Sequence, residues 1–297
     1  RTTTRLAAFV APVLVAGLGS AALGAQGRGG APAAPQTAQA SAAFDMTGYW
    51  VAVITQDWRL RMVMPPKGDY MGFPMTVASK KVADAFRRLG FDEVIEFYDK
   101  DASSKRLQQL LNDMLPRKVG RMDRLVIFYA GHAGFMQDSD GQERGYLVPF
   151  DAQVNNVAKS ITVEHLKEFA RRSASKHTLL ILDAPVFGWE TTAPPELSLE
   201  GRLAPESDTD RRAVQVISAA GKGETAVRVE MSSRFVETLL TGLSGAADLD
   251  GNGWLMASEL GNYLVRQVET ASGGLQHPSN LRIDGDGDMV LIEGKAS

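Results

Sequence analysis

Three stretches of the chain are almost continuously apolar: "RLVIFYA" at 124–130, "TLLILDA" at 178–184 and "AVQVISAA" at 213–220. Runs of this length without alternation read as strands buried on both faces of a parallel sheet. Between them, apolar residues recur at helical spacing. "SKKVADAFRRLGF" (79–91) puts Val82, Ala85, Phe86 and Leu89 on one face and ends at Gly90, a helix with a glycine terminator. "SSKRLQQLLNDML" (103–115) predicts an amphipathic helix with a serine cap and a stop at Pro116. Further helices are predicted over 162–173, opened by Thr162, and over 232–243 and 258–269. Shorter extended pieces fall at 49–55, 93–99, 145–151 and 288–292. Strands alternating with helices at this spacing imply an α/β fold with a mainly parallel sheet covered on both faces.

The beginning of the chain follows neither period. Arg1 and Arg5 accompany "LAAFVAPVLVAGLGSAALGA" (6–25), apolar and rich in small residues. This is the pattern of a secretory signal over residues 1–25 with cleavage after Ala25. It implies an exported protein, periplasmic or secreted, that leaves the membrane once cut. An uncleaved anchor is the alternative, because the run nearly suffices to span a bilayer. Residues 26–43 are Gly/Ala/Pro/Gln-rich and read as a disordered linker. Residues 44–78 hold "YWVAVIT" (49–55), with strand composition, and then a long stretch without one period. Its Trp50, Trp58, Arg59, Arg61, Lys67, Tyr70 and Phe73 have the composition of a recognition surface or of a cover for one sheet edge. The main domain is expected over 79–297.

Composition narrows the function. Of the 297 residues, 44% are hydrophobic and 23% charged, which is ordinary for a soluble globular chain. A net charge of -3 gives no basic footprint for nucleic acid. Cysteine is absent, so disulfides, thiolate metal sites and thiol nucleophiles are excluded. The loop at the carboxyl end of a central parallel strand is where chemistry usually sits. At the end of "LLILDAPVFGW", however, Ala184, Pro185 and Val186 offer no nucleophile, acid or ligand.

Two landmarks give that loop a meaning. "DRLVIFYAGHAG" (123–134) resembles the strand and "GHG" turn that carry the catalytic histidine of caspase-like cysteine peptidases, a group that includes the metacaspases and many bacterial homologues. "LLILDAPVFG" resembles the strand and "D-A-C-x-S-G" loop that carry their cysteine. The segments "ADAFRRLGFDEVIEFYDKDAS", "GYLVPFDA", "VQVISAAGKGETA" and "SRFVETLLTGLSGAADLDGNGWLMASELGNYLV" follow in the same order. His132 precedes Pro185 by 53 residues, near the spacing of roughly 50 found in caspases. The resemblance covers about residues 79–293. It implies a three-layer caspase-like sandwich, with His132 as the retained histidine and Asp183 as a motif residue. Pro185 stands at the cysteine, Phe187 at the serine, and Ala133 at the second glycine of "GHG". Proline supplies neither an attacking atom nor an N–H for an oxyanion. The implied function is therefore a pseudoprotease that holds a peptide or protein partner without cutting it. The resemblance leaves the partner and the oligomeric state open. The alternatives are a working hydrolase with a relocated nucleophile, such as Thr191 or Thr192, and a calcium-binding structural module.

The last alternative rests on "DLDGNGWLMASE" (248–259). Asp248, Asp250, Asn252, Trp254 and Glu259 stand at positions 1, 3, 5, 7 and 12 of a twelve-residue EF-hand loop, with Gly253 at 6. Trp254 would ligate through its carbonyl. The expected ion is calcium, because its six to eight oxygen ligands need a tight glycine turn to wrap the chain. Met256 at position 9 and the lack of a second such loop depart from the pattern, and a polar link between two helices is the other reading. "DGDGD" (284–288) reads as a turn. His165, His177 and His277 show no zinc spacing.

Overall fold

The computed structural model describes residues 5–11, 74–153, 157–186, 188–189, 209–221, 224, 228–229 and 232–294. All of them belong to one compact unit, formed by residues 1–14 and 67–297. The sequence reading of 49–55 as a strand, and of the linker before it, lies outside the described residues.

The centre is a six-stranded sheet. Its strands are β1 (Arg5–Ala11), β2 (Glu93–Tyr98), β3 (Arg124–Ala130), β7 (His177–Pro185), β8 (Ala213–Ala220) and β12 (Ser279–Gly285). The spatial order is β12-β8-β7-β3-β1-β2. All neighbours are parallel except β12, which runs antiparallel to β8 at one end.

Because successive side chains leave a strand on opposite faces, each apolar run feeds two cores. Val126 and Phe128 of β3, Leu179 and Ile181 of β7, and Ile217 and Ala219 of β8 point to one face. There they meet helices α1 (Pro74–Arg88), α5 (Arg234–Thr241) and α6 (Ala257–Ala271). The alternate residues Leu125, Ile127 and Tyr129, Leu180 and Leu182, and Val214 and Val216 supply the other face. It is covered by α2 (Ser104–Gln109), α3 (Leu115–Lys118) and α4 (Val163–Arg172). Helices, sheet and helices make the three layers expected from the sequence.

Three smaller pairings complete the unit. β4 (His132–Gln137), β5 (Glu143–Val148) and β6 (Ile161–Thr162) form an antiparallel sheet. β9 (Arg228–Val229) pairs with β10 (Ser232–Ser233), and β11 (Leu255–Met256) with β13 (Val290–Ile292).

The structure departs from the sequence reading at four places. The long run 123–134 breaks at Gly131, and its second half turns back as β4. The strand read at 288–292 pairs with β11 rather than with the main sheet. The main sheet instead ends on β12, whose "SNLRIDG" carries few apolar residues because it is an edge strand. Pro116 does not end its helix: a π turn over Leu110–Met114 precedes it, and Pro116 sits in the first turn of α3, where its missing N–H costs little. Finally, the place between β2 and β3 is taken by Arg5–Ala11, within the segment whose pattern reads as a secretory signal. An apolar run such as the six residues Leu6–Ala11 serves either purpose, and composition alone does not separate them.

Candidate functional site

β3 and β7 are neighbours, with Ala130 paired to Asp183. Just past that pair the Gly131 N–H donates to the Asp183 carbonyl at 3.3 Å. Beyond it one chain gives His132 and the other gives Ala184 and Pro185. The two landmark turns thus leave the carboxyl edge of the sheet side by side, one strand spacing, about 4.8 Å, apart.

The histidine turn is anchored from below. Tyr129, at 2% exposure, places its hydroxyl 2.7 Å from the His132 carbonyl and 3.0 Å from the Val148 carbonyl. One proton serves either acceptor, so the phenol ties the starts of β4 and the end of β5 to β3. Burial pushes its ionisation far above the ordinary tyrosine value, so it remains a neutral donor. Ala133, where the family motif has glycine, pairs with Leu147 and packs on the second core. Its methyl therefore has an ordinary strand environment. Gly134 lies under Tyr146, whose ring would be 2.7 Å from any Cβ added there.

The second turn is shaped by Pro185. The Val186 N–H donates to the Ala184 carbonyl at 2.9 Å, a three-residue turn whose central φ suits proline. Val186 and Trp189 are 3% and 2% exposed and pack into the second core. Gly188, at φ 90°, takes the left-handed conformation that spares glycine a side-chain clash. Among the described residues of this turn there is no nucleophilic atom. Thr191 and Thr192 lie outside the described residues.

Asp183 is 8% exposed, and its Oδ2 accepts from Ser233 Oγ at 2.8 Å. The same Oγ accepts the Val236 N–H at 3.0 Å and caps α5. Ser233 therefore links the carboxylate to a helix N-terminus, where negative charge is favoured. The bond between Ser233 and Asp183, fifty positions apart, is not encoded locally, and no local signal would have found it.

The EF-like loop lies at the other site. Asp248 accepts the Asn252 N–H through Oδ1 at 3.2 Å and the Gly253 N–H through Oδ2 at 2.9 Å. Asp250 Oδ1 accepts the Asn252 N–H at 3.1 Å, and Asn252 Oδ1 the Trp254 N–H at 2.7 Å. Gly251 and Gly253 have φ of 69° and 83°. Glu259, 5% exposed, accepts the Met256 N–H at 2.9 Å and so caps α6. One carboxylate oxygen each from Asp248, Asp250 and Glu259 lies within 4.8 Å of the others. Loop residues Leu255 and Met256 pair with β13, Leu255 opposite Ile292, which steadies the loop in the absence of a second one. The hard-oxygen donor set fits calcium: the three carboxylates would hold it with the Trp254 carbonyl, and Asn252 already turns its own oxygen to the loop backbone.

The remaining histidines are scattered. His165 Nε2 lies 2.9 Å from Asn112 Oδ1, His277 Nδ1 2.6 Å from Glu224 Oε1, and His177 stands at the foot of β7. "DGDGD" ends β12 with Asp284 and Gly285 and then bends, and its Asp288, fully buried, accepts from Gln215 Nε2 at 2.7 Å and from the Ser258 N–H at 3.2 Å.

No family model and no curated protein matches the chain. Among solved structures, a Geobacter sulfurreducens protein from a structural-genomics effort is similar at 12% identity, covering 69% of this chain and 82% of its own, with a TM-score of 0.47. Caspase-1 from Spodoptera frugiperda is similar at 14% identity, covering 75% and 82%, with a TM-score of 0.48. The chain's own geometry is three layers about a mainly parallel sheet, with the histidine turn and the aspartate loop on neighbouring strands and Pro185 following Asp183 and Ala184, the arrangement expected from the sequence resemblance to caspase-like peptidases.

Proposed function

We propose that this protein is an inactive caspase-like module that holds an extended peptide segment at the carboxyl edge of its sheet without cleaving it. The observation that carries this reading is Pro185 in the turn beside His132. Acyl transfer needs an attacking atom whose proton the histidine can take, and a pyrrolidine ring offers none. It also lacks the amide that would donate to a developing oxyanion. The adjacent ends of β3 and β7 leave the turns to receive a backbone in extended form.

The test is incubation of the full chain with a diverse peptide library, read by mass spectrometry for both cleavage and retention. The expected result is retention of a subset with every peptide intact. Cleavage that disappears in His132→Ala would overturn the reading and favour a relocated nucleophile.

A second reading concerns the loop 248–259, for which the convergence of Asp248, Asp250 and Glu259 supports calcium binding. Calcium there would join the link after α5 to the start of α6, and its role would be structural.

A further inference from the structure

We infer that the N-terminal segment that reads as a secretory signal is a structural strand of the folded domain, so that export processing and folding compete for the same seven residues. β1 is paired on both sides. Leu6 to Ala11 lie opposite Glu93 to Tyr98 of β2, and Arg5 to Val10 lie opposite Arg124 to Tyr129 of β3. β2 is the last strand on that side of the sheet, and β1 is its one strand partner among the described residues. Without β1, β2 has no pairing in the sheet, and β3 becomes an edge.

That edge is not built to face water. Leu125, Val126, Ile127, Phe128 and Tyr129 are all at most 5% exposed, and beyond Arg124 at its start β3 has none of the charge, proline or bulge that protects an open strand. A row of unpaired N–H and C=O groups would be left between two apolar cores. The damage would reach the site, because Tyr129 is the residue that anchors the His132 turn.

The sequence suits the place. A central parallel strand is buried on both faces and needs a continuous apolar run, which "LAAFVA" provides after Arg5. A secretory signal needs the same run while it is still extended and unpaired. Once paired as β1 the segment is withdrawn from that use, and once cut after Ala25 the sheet loses its strand. The folded sheet thus uses a segment that cleavage after Ala25 would sever from it.

The test starts from the full chain with a site-specific protease sequence inserted after Ala25. The folded protein is cut, the 1–25 fragment is removed in denaturant, and the remainder is refolded alone or with the fragment added back. Amide exchange is followed over Glu93–Tyr98 and Arg124–Ala130 by mass spectrometry. The uncut chain is expected to protect both strands. The remainder alone is expected to lose protection on the order of 100-fold in β2 and to regain it with the fragment. Ala8→Pro in the uncut chain, which removes a backbone donor at mid-strand, is expected to lose it likewise. Full protection in the remainder alone, no recovery on adding the fragment, or an unaffected Ala8→Pro chain would each overturn the inference. If protection in the remainder were then lost on Val53→Pro, the place would pass to residues 49–55. A folded chain isolated from cells that already lacks residues 1–25 would overturn the inference as well.

Discussion

His177 opens β7 at 3% exposure, with its Nε2 donating to the Arg211 carbonyl at 2.9 Å. Nδ1 is then the unprotonated nitrogen, and among the described residues it meets no hydrogen-bond partner. Burial pushes the pKa down to about 4; the bond to the Arg211 carbonyl and the Asp288 charge oppose this weakly, while the Lys176 and Arg124 charges add to it. In the unfolded chain the ordinary value is about 6.5. Between those two values the unfolded state binds a proton that the folded state refuses, so stability falls as pH falls through this window. The contribution is whole above about pH 6.5, and none remains below about pH 4. Urea unfolding is expected to show a loss of about 2 kcal/mol between about pH 7 and pH 5. His177→Gln should flatten that slope; an equal slope in the variant would assign it to other groups.

At the scale of elements, the strongest test of packing is α6 against β12. A Cβ on Gly261 would sit 2.2 Å from the Asn280 side-chain carbon. That side chain cannot swing away freely, since its Nδ2 donates to the Ser258 carbonyl at 3.1 Å and to Asn262 Oδ1 at 3.0 Å. Gly261→Ala is expected to lower unfolding stability by about 1–3 kcal/mol in chemical denaturation, although alanine is the better helix former. A stabilised variant would mean that the helix and strand lie farther apart. For the loop at 248–259, titration with calcium should change Trp254 emission, and Asp248→Ala should abolish the change. A flat response to tens of millimolar would reject the ion, well beyond the range of about 10⁻⁴–10⁻³ M of extracellular modules.

Which elements were legible follows from what the sequence encodes locally. β3, β7 and β8 could be read because a strand buried on both faces leaves a run that no helix period explains. The cap at Thr162 could be read because a hydroxyl before an apolar period has one common use, and it accepts the His165 N–H; the serine cap read for 103–115 has Ser103 in the cap position without a side-chain bond. β12 was hidden by edge exposure, and β1 by a composition shared with secretory signals. At the site, His132 and Pro185 were found through motif order. The Tyr129 and Ser233 anchors were not, because each depends on strands or turns brought together only by the sheet.

Over the whole molecule, one sheet positions everything that bears on function. Its parallel strands end together at the edge where His132, Asp183 and Pro185 emerge, while the strand feet carry His177 and the pairing of β11 with β13 holds the EF-like loop. Two helical layers lock the sheet from both sides, so the site turns start from fixed points rather than from mobile loops. Function then depends on whether Pro185 truly occupies the position of an attacking group facing His132. A chain without cysteine allows this to be asked with one sulfur. Pro185→Cys would carry a single thiol, and its alkylation rate can be followed against pH. The account predicts a thiolate formed well below the usual thiol pKa of about 8.5, with the profile returning to the ordinary range in the Pro185→Cys, His132→Ala double variant. A profile at the ordinary value, unchanged by loss of the histidine, would contradict it.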